Sequence, residues 1–197
     1  MAEGDPTLQF YAANAATYAA RVERGSTGVV DRFLRLLPGP SRVLELGSGS
    51  GQDARTMLER GHDVTPSDGS PELAAEAGKL LGRPVRVMLF DQLDDEAAFD
   101  GVYACASLLH APRSSLTSIL VRIHRALLPG GVFWASYKAG EAEGHDRFGR
   151  YYNYLDESSL RAYYAAAASW ASLEIDAWDG SGYDKMPTRW LGVTARK

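Results

Sequence analysis

The sequence predicts an α/β fold: a doubly wound, mostly parallel sheet of seven strands with helices on both faces. Segments of strand-like alternation take turns with segments of helical period along most of the chain. The helical segments close on Gly or Pro-Gly punctuation. The first buried strand runs straight into glycines at alternate positions, in Val43-Leu44-Glu45-Leu46-Gly47-Ser48-Gly49-Ser50-Gly51. A strand, a tight turn and a helix start in that order leave free N–H groups facing a ligand beyond the strand's carboxyl end.

Taken in order, Tyr11, Ala15, Tyr18 and Val22 fall on one face of a first helix. Val29, Val30, Phe33, Leu34 and Leu37 form a second apolar stripe, stopped by Pro38-Gly39-Pro40. A strand over about 42–47 leads to a helix reaching about Arg60. Val64 belongs to a second strand ending near Asp68, with Pro66 interrupting it. Ser70-Pro71-Glu72 has the composition of a helix start, and that helix ends at Gly82. Val85, Val87 and Leu89 alternate in a third strand, and Phe99 to Ala106 reads as a buried fourth. Leu116, Ile119, Leu120, Ile123 and Leu127 make a helical stripe closed by Pro129-Gly130-Gly131. Val132 to Tyr137 is the fifth strand, and Gly140 to Tyr154 a long polar loop. Asp156 to Ala168 is helical, and segments at 173–177 and 191–195 supply the last two strands.

The 197 residues carry a net charge of −4, without a basic run or stripe, which disfavours a nucleic-acid partner. Cys105 is the sole cysteine, so neither a disulfide framework nor a thiolate zinc site is expected. The four histidines lack a shared spacing, and no metal is expected. With no apolar run long enough for a bilayer and no leader-like start, a cytoplasmic protein without membrane contact is expected, as monomer or homodimer. No linker divides the chain. One domain is expected, with lid helices over 1–38, a binding core over 42–138, a substrate-side loop over 139–155 and a C-terminal helix and strands over 156–197.

The glycine turn lacks the Lys of a phosphate loop and the third glycine spacing of a dinucleotide fingerprint. What stands is Glu-x-Gly-x-Gly-x-Gly. With Asp68 closing the second strand, Asp91 in Leu89-Phe90-Asp91-Gln92-Leu93, and Leu128-Pro129-Gly130-Gly131 before the fifth strand, the stretch from Val43 to Lys138 closely resembles the class I S-adenosylmethionine-dependent methyltransferases. That resemblance implies a Rossmann-like fold and S-adenosylmethionine as cofactor, released as S-adenosylhomocysteine. It places Gly47, Ser48, Gly49 and Gly51 against the cofactor's methionine part and Glu45 near its ammonium. It places Asp68, followed by Gly69 and Ser70, on the ribose hydroxyls, and Asp91, Gln92 and Leu93 at the adenine. Ala106, at the end of the fourth strand, and Tyr18 are further expected contacts.

Methyl transfer from a sulfonium depends on alignment in a dry pocket, and needs a base only when the acceptor carries a proton. His110, beyond the fourth strand, is the candidate for substrate contact, sulfonium contact or base. Tyr11 joins it as a candidate catalytic residue, although Tyr11 and Tyr18 equally suit ordinary helix packing. Lys138, Arg147, Arg150, Tyr151 and Tyr152 are candidate substrate residues, able to enclose an anionic, planar or soft cationic molecule. Trp170, Trp178 and Trp190 are assigned to the sheet. The expected function is methylation of a small-molecule acceptor, in the manner of small metabolite or tellurite-resistance methyltransferases. The alternatives are a protein or RNA methyltransferase and a non-catalytic binder of the cofactor.

Overall fold

A computed structural model describes residues 5–20 and 27–197. Val22 therefore lies outside the described residues, as do parts of the segment expected to form a lid. Among the described residues six α-helices and nine strands follow one another as α1 (Pro6–Ala20), α2 (Thr27–Leu34), β1 (Arg42–Leu46), α3 (Gln52–Glu59), β2 (Asp63–Asp68), α4 (Pro71–Leu81), β3 (Arg86–Val87), β4 (Phe99–Ala104), α5 (Arg113–Ala126), β5 (Leu127–Lys138), β6 (Gly144–His145), β7 (Tyr151–Tyr152), α6 (Glu157–Ala167), β8 (Ser172–Ser181) and β9 (Pro187–Arg196). Seven strands form one sheet in the order β3-β2-β1-β4-β5-β9-β8. The first five are parallel, and β9 runs antiparallel between β5 and β8.

Alternation along the strands gives the sheet two buried faces. Val43, Val64, Tyr103, Val132 and Trp134 meet Val30 and Phe33 of α2 and Ala54 and Met57 of α3 on one side. Leu44, Leu46, Val102, Phe133 and Ala135 meet Leu116, Ile119, Leu120 and Ile123 of α5 and Leu160 and Tyr164 of α6 on the other. Burial of two faces is what makes β1 and β4 near-continuous apolar runs. Ser70 caps α4 by accepting a hydrogen bond from the Leu73 N–H, and Asp156 caps α6 in the same way through Ser159.

Several boundaries differ from expectation for local reasons. Pro66 lies within β2 without breaking it. The Ser67 carbonyl accepts from Gly47 and Ser48 on the β1 side, while the Asp68 carbonyl accepts from Met88 on the other. Pro66 shares the orientation of Asp68, and β3 pairs only from Ser67 onward, so no ladder donor is missed. The pair Leu127 and Leu128 begins β5 rather than ending α5, and the Pro129-Gly130-Gly131 turn becomes a register shift against β4. The long loop holds a two-residue antiparallel ribbon, β6 with β7. Among the described residues no helix is long and apolar enough to cross a membrane.

Candidate active site

The sheet order reverses between β1 and β4, so the loops leaving their carboxyl ends diverge and open a crevice. Two glycines shape the turn beneath it. A Cβ on Gly47 would lie 2.5 Å from the Ser107 Cβ, where the chain leaves β4, and Gly47 has φ +77°. Gly51, at φ +81°, starts α3 and would press a Cβ to 3.1 Å from Ala77 of α4. The first glycine lets two loops meet; the second lets two helices pack.

Above this turn lies a cavity of about 530 Å³, with a smaller one of about 90 Å³ beside it. Tyr11, Tyr18, Gly47, Gly49, Cys105, Ala106 and His110 line both. One end of the larger cavity is acidic. Glu45 is only 3% exposed, and its Oε2 has no hydrogen-bond partner among the described residues; the same holds for Ser48 Oγ. Burial raises the Glu45 pKa well above its ordinary value, and Asp53 and Asp68 add to the rise. Asp68 accepts from Gly49 N–H at 2.8 Å and Ser70 N–H at 2.9 Å. Burial pushes its pKa up to about 6 against those stabilising bonds. A buried acid with an idle oxygen costs free energy unless a cation or donor joins it. The donor set therefore fits a ligand that brings an ammonium to Glu45 and hydroxyls to Asp68.

The other end carries Tyr11, His110, Arg150 and Lys138. His110 Nδ1 lies 2.6 Å from the Tyr151 carbonyl, which only accepts, so Nδ1 holds the proton. Nε2 is left to accept from the Tyr11 hydroxyl at 3.0 Å. Burial lowers the His110 pKa to about 4, keeping the ring neutral. The Tyr11 oxygen also receives Arg150 at 3.4 Å. Arg150 is 1% exposed and paired with Asp146 at 2.7 Å, so its charge is already balanced. Ala106 lines both cavities at φ +49°, a left-handed conformation unusual for alanine. Its N–H is held by Ser136 Oγ at 2.8 Å.

The structure brings together Glu45, Gly47, Ser48, Gly49, Asp68, Gly69, Ala106, Tyr11, Tyr18, His110, Lys138, Arg150 and Tyr152 around the two cavities. Other expected residues stand elsewhere. Gly51 serves the contact of α3 with α4, and the Ser70 hydroxyl is spent on capping α4. Asp91 and Gln92 are exposed beyond β3, outside both linings, while Leu93 is wholly buried in the core. Arg147 is exposed, with its guanidinium 4.7 Å from the Phe148 ring. Tyr151 contributes its carbonyl to His110, but its hydroxyl binds Glu143 outside the cavity. Conversely, Trp190 lines the cavity instead of serving only the sheet. The hairpin between β8 and β9 adds Gly182, Tyr183 and Lys185, and Tyr183 stacks on Tyr18 with ring centroids 5.9 Å apart. Its Ser-Gly-Tyr-Asp-Lys sequence has no periodicity, so nothing local in it signals a cavity wall. Among the described residues no cluster of His, Cys, Asp or Glu could hold a metal ion.

This strand order and the acid-floored glycine turn at the end of β1 are similar to those of the class I S-adenosylmethionine-dependent methyltransferases. Residues 43–131 match the family described as a methyltransferase domain. The fold is similar to that of 1,6-didemethyltoxoflavin-N1-methyltransferase from Burkholderia thailandensis, solved with 1,6-didemethyltoxoflavin and S-adenosylhomocysteine. That match is 25% identical, covers 98% of this chain and 87% of the other, and has a TM-score of 0.77. A DhpI–SAH complex is 26% identical over 97% of this chain and 95% of its own, with a TM-score of 0.68. Protein-L-isoaspartate O-methyltransferase from Myxococcus xanthus (strain DK1622) is 31% identical over 121 residues, covering 49% of this chain and 57% of the relative. The chain spans only 21% to 57% of the lengths of the four curated relatives.

Proposed function

We propose that the protein transfers a methyl group from S-adenosylmethionine to a small-molecule acceptor. The observation that carries this reading is the pair of idle buried oxygens, Glu45 Oε2 and Ser48 Oγ, beneath the glycine turn. Glu45 holds the cofactor's ammonium, Gly47, Ser48 and Gly49 its amino-acid part, and Asp68 with Gly69 the ribose. Asp68 takes backbone N–H groups of Gly49, Gly69 and Ser70 and still has acceptor capacity for a ribose hydroxyl. Tyr18 and Ala106 flank the same ligand. When bound, the cofactor supplies an electrophilic methyl carbon on a sulfonium.

The chain's own part is to align the acceptor and exclude water. Tyr11 and Tyr18 of α1, Arg150 and Tyr152 of the long loop, and Tyr183 of the β8–β9 hairpin cover the cavity from three sides. Aromatic side chains from three segments around one cavity suit a small acceptor. For an acceptor that carries a proton, Tyr11 and His110 form the path away. Tyr11 Oη takes the proton as its own passes to His110 Nε2; the Tyr151 carbonyl steadies the ring through Nδ1, while burial and the Arg150 and Lys138 charges oppose its protonation, so the proton is held there only in passage. The roof elements belong to the same unit as the core, one domain over 1–197.

Calorimetry with S-adenosylhomocysteine, followed by transfer of labelled methyl groups to a panel of small acceptors, tests the proposal. Binding that Glu45→Gln weakens, with label appearing in a small acceptor, is expected. A protein that ignores the nucleoside, or that labels only polypeptide or RNA, overturns it.

A further inference from the structure

The acidic groups, Glu45 and Asp53 of the larger cavity and Asp68 of the smaller one beside it, belong to β1, α3 and β2. The cations of the larger cavity belong to the far wall. Of these, Arg150 is neutralised by Asp146 and Lys185 of the β8–β9 hairpin is exposed, whereas Lys138 is buried without such a pair. Lys138 ends β5, is 8% exposed and lines the cavity, and no carboxylate lies within 4.0 Å of its ammonium among the described residues. Asp184 and, more weakly, Asp146 act on it from farther off, against the Arg150 charge. The ammonium sits 4.2 Å from the centroid of the Tyr152 ring and 5.9 Å from that of Trp190. These contacts fix its place without satisfying its three donors. A lysine that is more than nine-tenths buried, lining a cavity and without a carboxylate in contact can take an anion there. Its surroundings are flat aromatic faces.

We propose that the methyl acceptor is a planar ring compound bearing an anionic group, with the ring lying among Tyr152, Tyr183 and Trp190 and the anion on Lys138. This rests on the methyltransferase reading and narrows it. The cavity then carries complementary charge at both ends: acids for a cationic cofactor, a lysine for an anionic acceptor. Neutral rings would leave the buried ammonium unpaired, and cationic ones would meet it directly. Carboxylate and phosphate share the required chemistry.

The test uses the whole chain saturated with S-adenosylhomocysteine, titrated with 2-naphthoate, 2-naphthyl phosphate, neutral 2-naphthamide and cationic 2-naphthylmethylamine. At least one anion is expected to bind ten-fold or more tighter than the amide, and the amine most weakly. The preferred anion identifies the group. Lys138→Met is expected to remove the preference, Lys138→Arg to retain most of it, and both to bind S-adenosylhomocysteine within two-fold of wild type. Amide or amine binding as tightly as both anions to the wild-type complex overturns the proposal without relying on any variant, as does an undiminished preference in Lys138→Met. Absence of S-adenosylhomocysteine binding to the wild type overturns the methyltransferase reading and this proposal together.

Discussion

Glu45 shows how a residue can be costly for the fold and useful for binding. Its carboxyl is buried beside two further acids, and burial is the largest reason its pKa is raised. Glu45→Gln removes that like-charge crowding, so the free protein should melt at the same temperature or higher. Its affinity for S-adenosylhomocysteine should fall by about 1.5–3 kcal/mol, the scale of a hydrogen bond to a charged group. Thermal melts and calorimetry on one variant separate the two effects; a variant that melts lower yet binds normally would make Glu45 structural. The same chemistry sets a pH dependence. Asp68 is lifted to about 6 by burial, from an ordinary 3.8. An acid that holds its proton more tightly when folded contributes stability at low pH, which is lost as pH rises through about 6. Glu45 shifts in the same direction. A ligand that brings an ammonium to Glu45 and hydroxyl donors to Asp68 favours the ionised forms, so the rise in Tm caused by S-adenosylhomocysteine should be larger at pH 7.5 than at pH 5.5. An equal or larger shift at pH 5.5 would separate these acids from the ligand.

At the scale of elements, the glycine turn divides into parts with different duties. Gly51→Ala would hold an alanine at φ +81° and press its Cβ against Ala77. The left-handed strain and the crowding of α3 on α4 should together cost about 1–3 kcal/mol of stability. Because Gly51 lines neither cavity, affinity for S-adenosylhomocysteine should stay within three-fold. Gly47→Ala meets Ser107 at 2.5 Å on the cavity floor and should lose binding. Chemical melts with parallel calorimetry decide whether the two glycines separate in this way. The sequence signal treats them alike, because alternate glycines after a buried strand mark only the turn. Strand-to-helix alternation was legible for β1, β2, β4, α4 and α6, whose periodicity and caps are local. The path of β2 through Pro66 depends on how far β3 extends beside it, and the early start of β5 on a register shift against β4. Neither is written in a single segment. Asp91 and Leu93 carry the right spacing, yet the turn after β3 exposes the first and buries the second in the core.

Across the whole molecule, the roof of the cavity is joined at one side chain. The Arg150 guanidinium lies 4.9 Å from the ring centroid of Phe10, 5.9 Å from that of Tyr11, 5.5 Å from Phe148, 5.4 Å from Tyr152 and 4.8 Å from Tyr183. It thereby links α1, the long loop and the β8–β9 hairpin, three segments far apart in the chain. The sequence shows this arginine among tyrosines, but only the tertiary fold shows that rings from two other segments converge on it. Arg150→Met keeps much of the volume and removes the charge that holds these rings. It leaves Asp146, 13% exposed, without its partner. Breaking a buried pair from one side costs about 3–5 kcal/mol, and the lower end applies because Asp146 reaches solvent. That loss should fall unevenly. The sheet center around Val43, Val102 and Phe133 does not touch Arg150 and has its own apolar cover. Amide hydrogen exchange on Arg150→Met should therefore speed up together in α1, in 139–155 and in 181–186, with β1 and β4 unchanged. Acceleration confined to the long loop would mean that the three roof segments are held independently. Acceleration throughout the sheet would mean that the roof and core unfold as one.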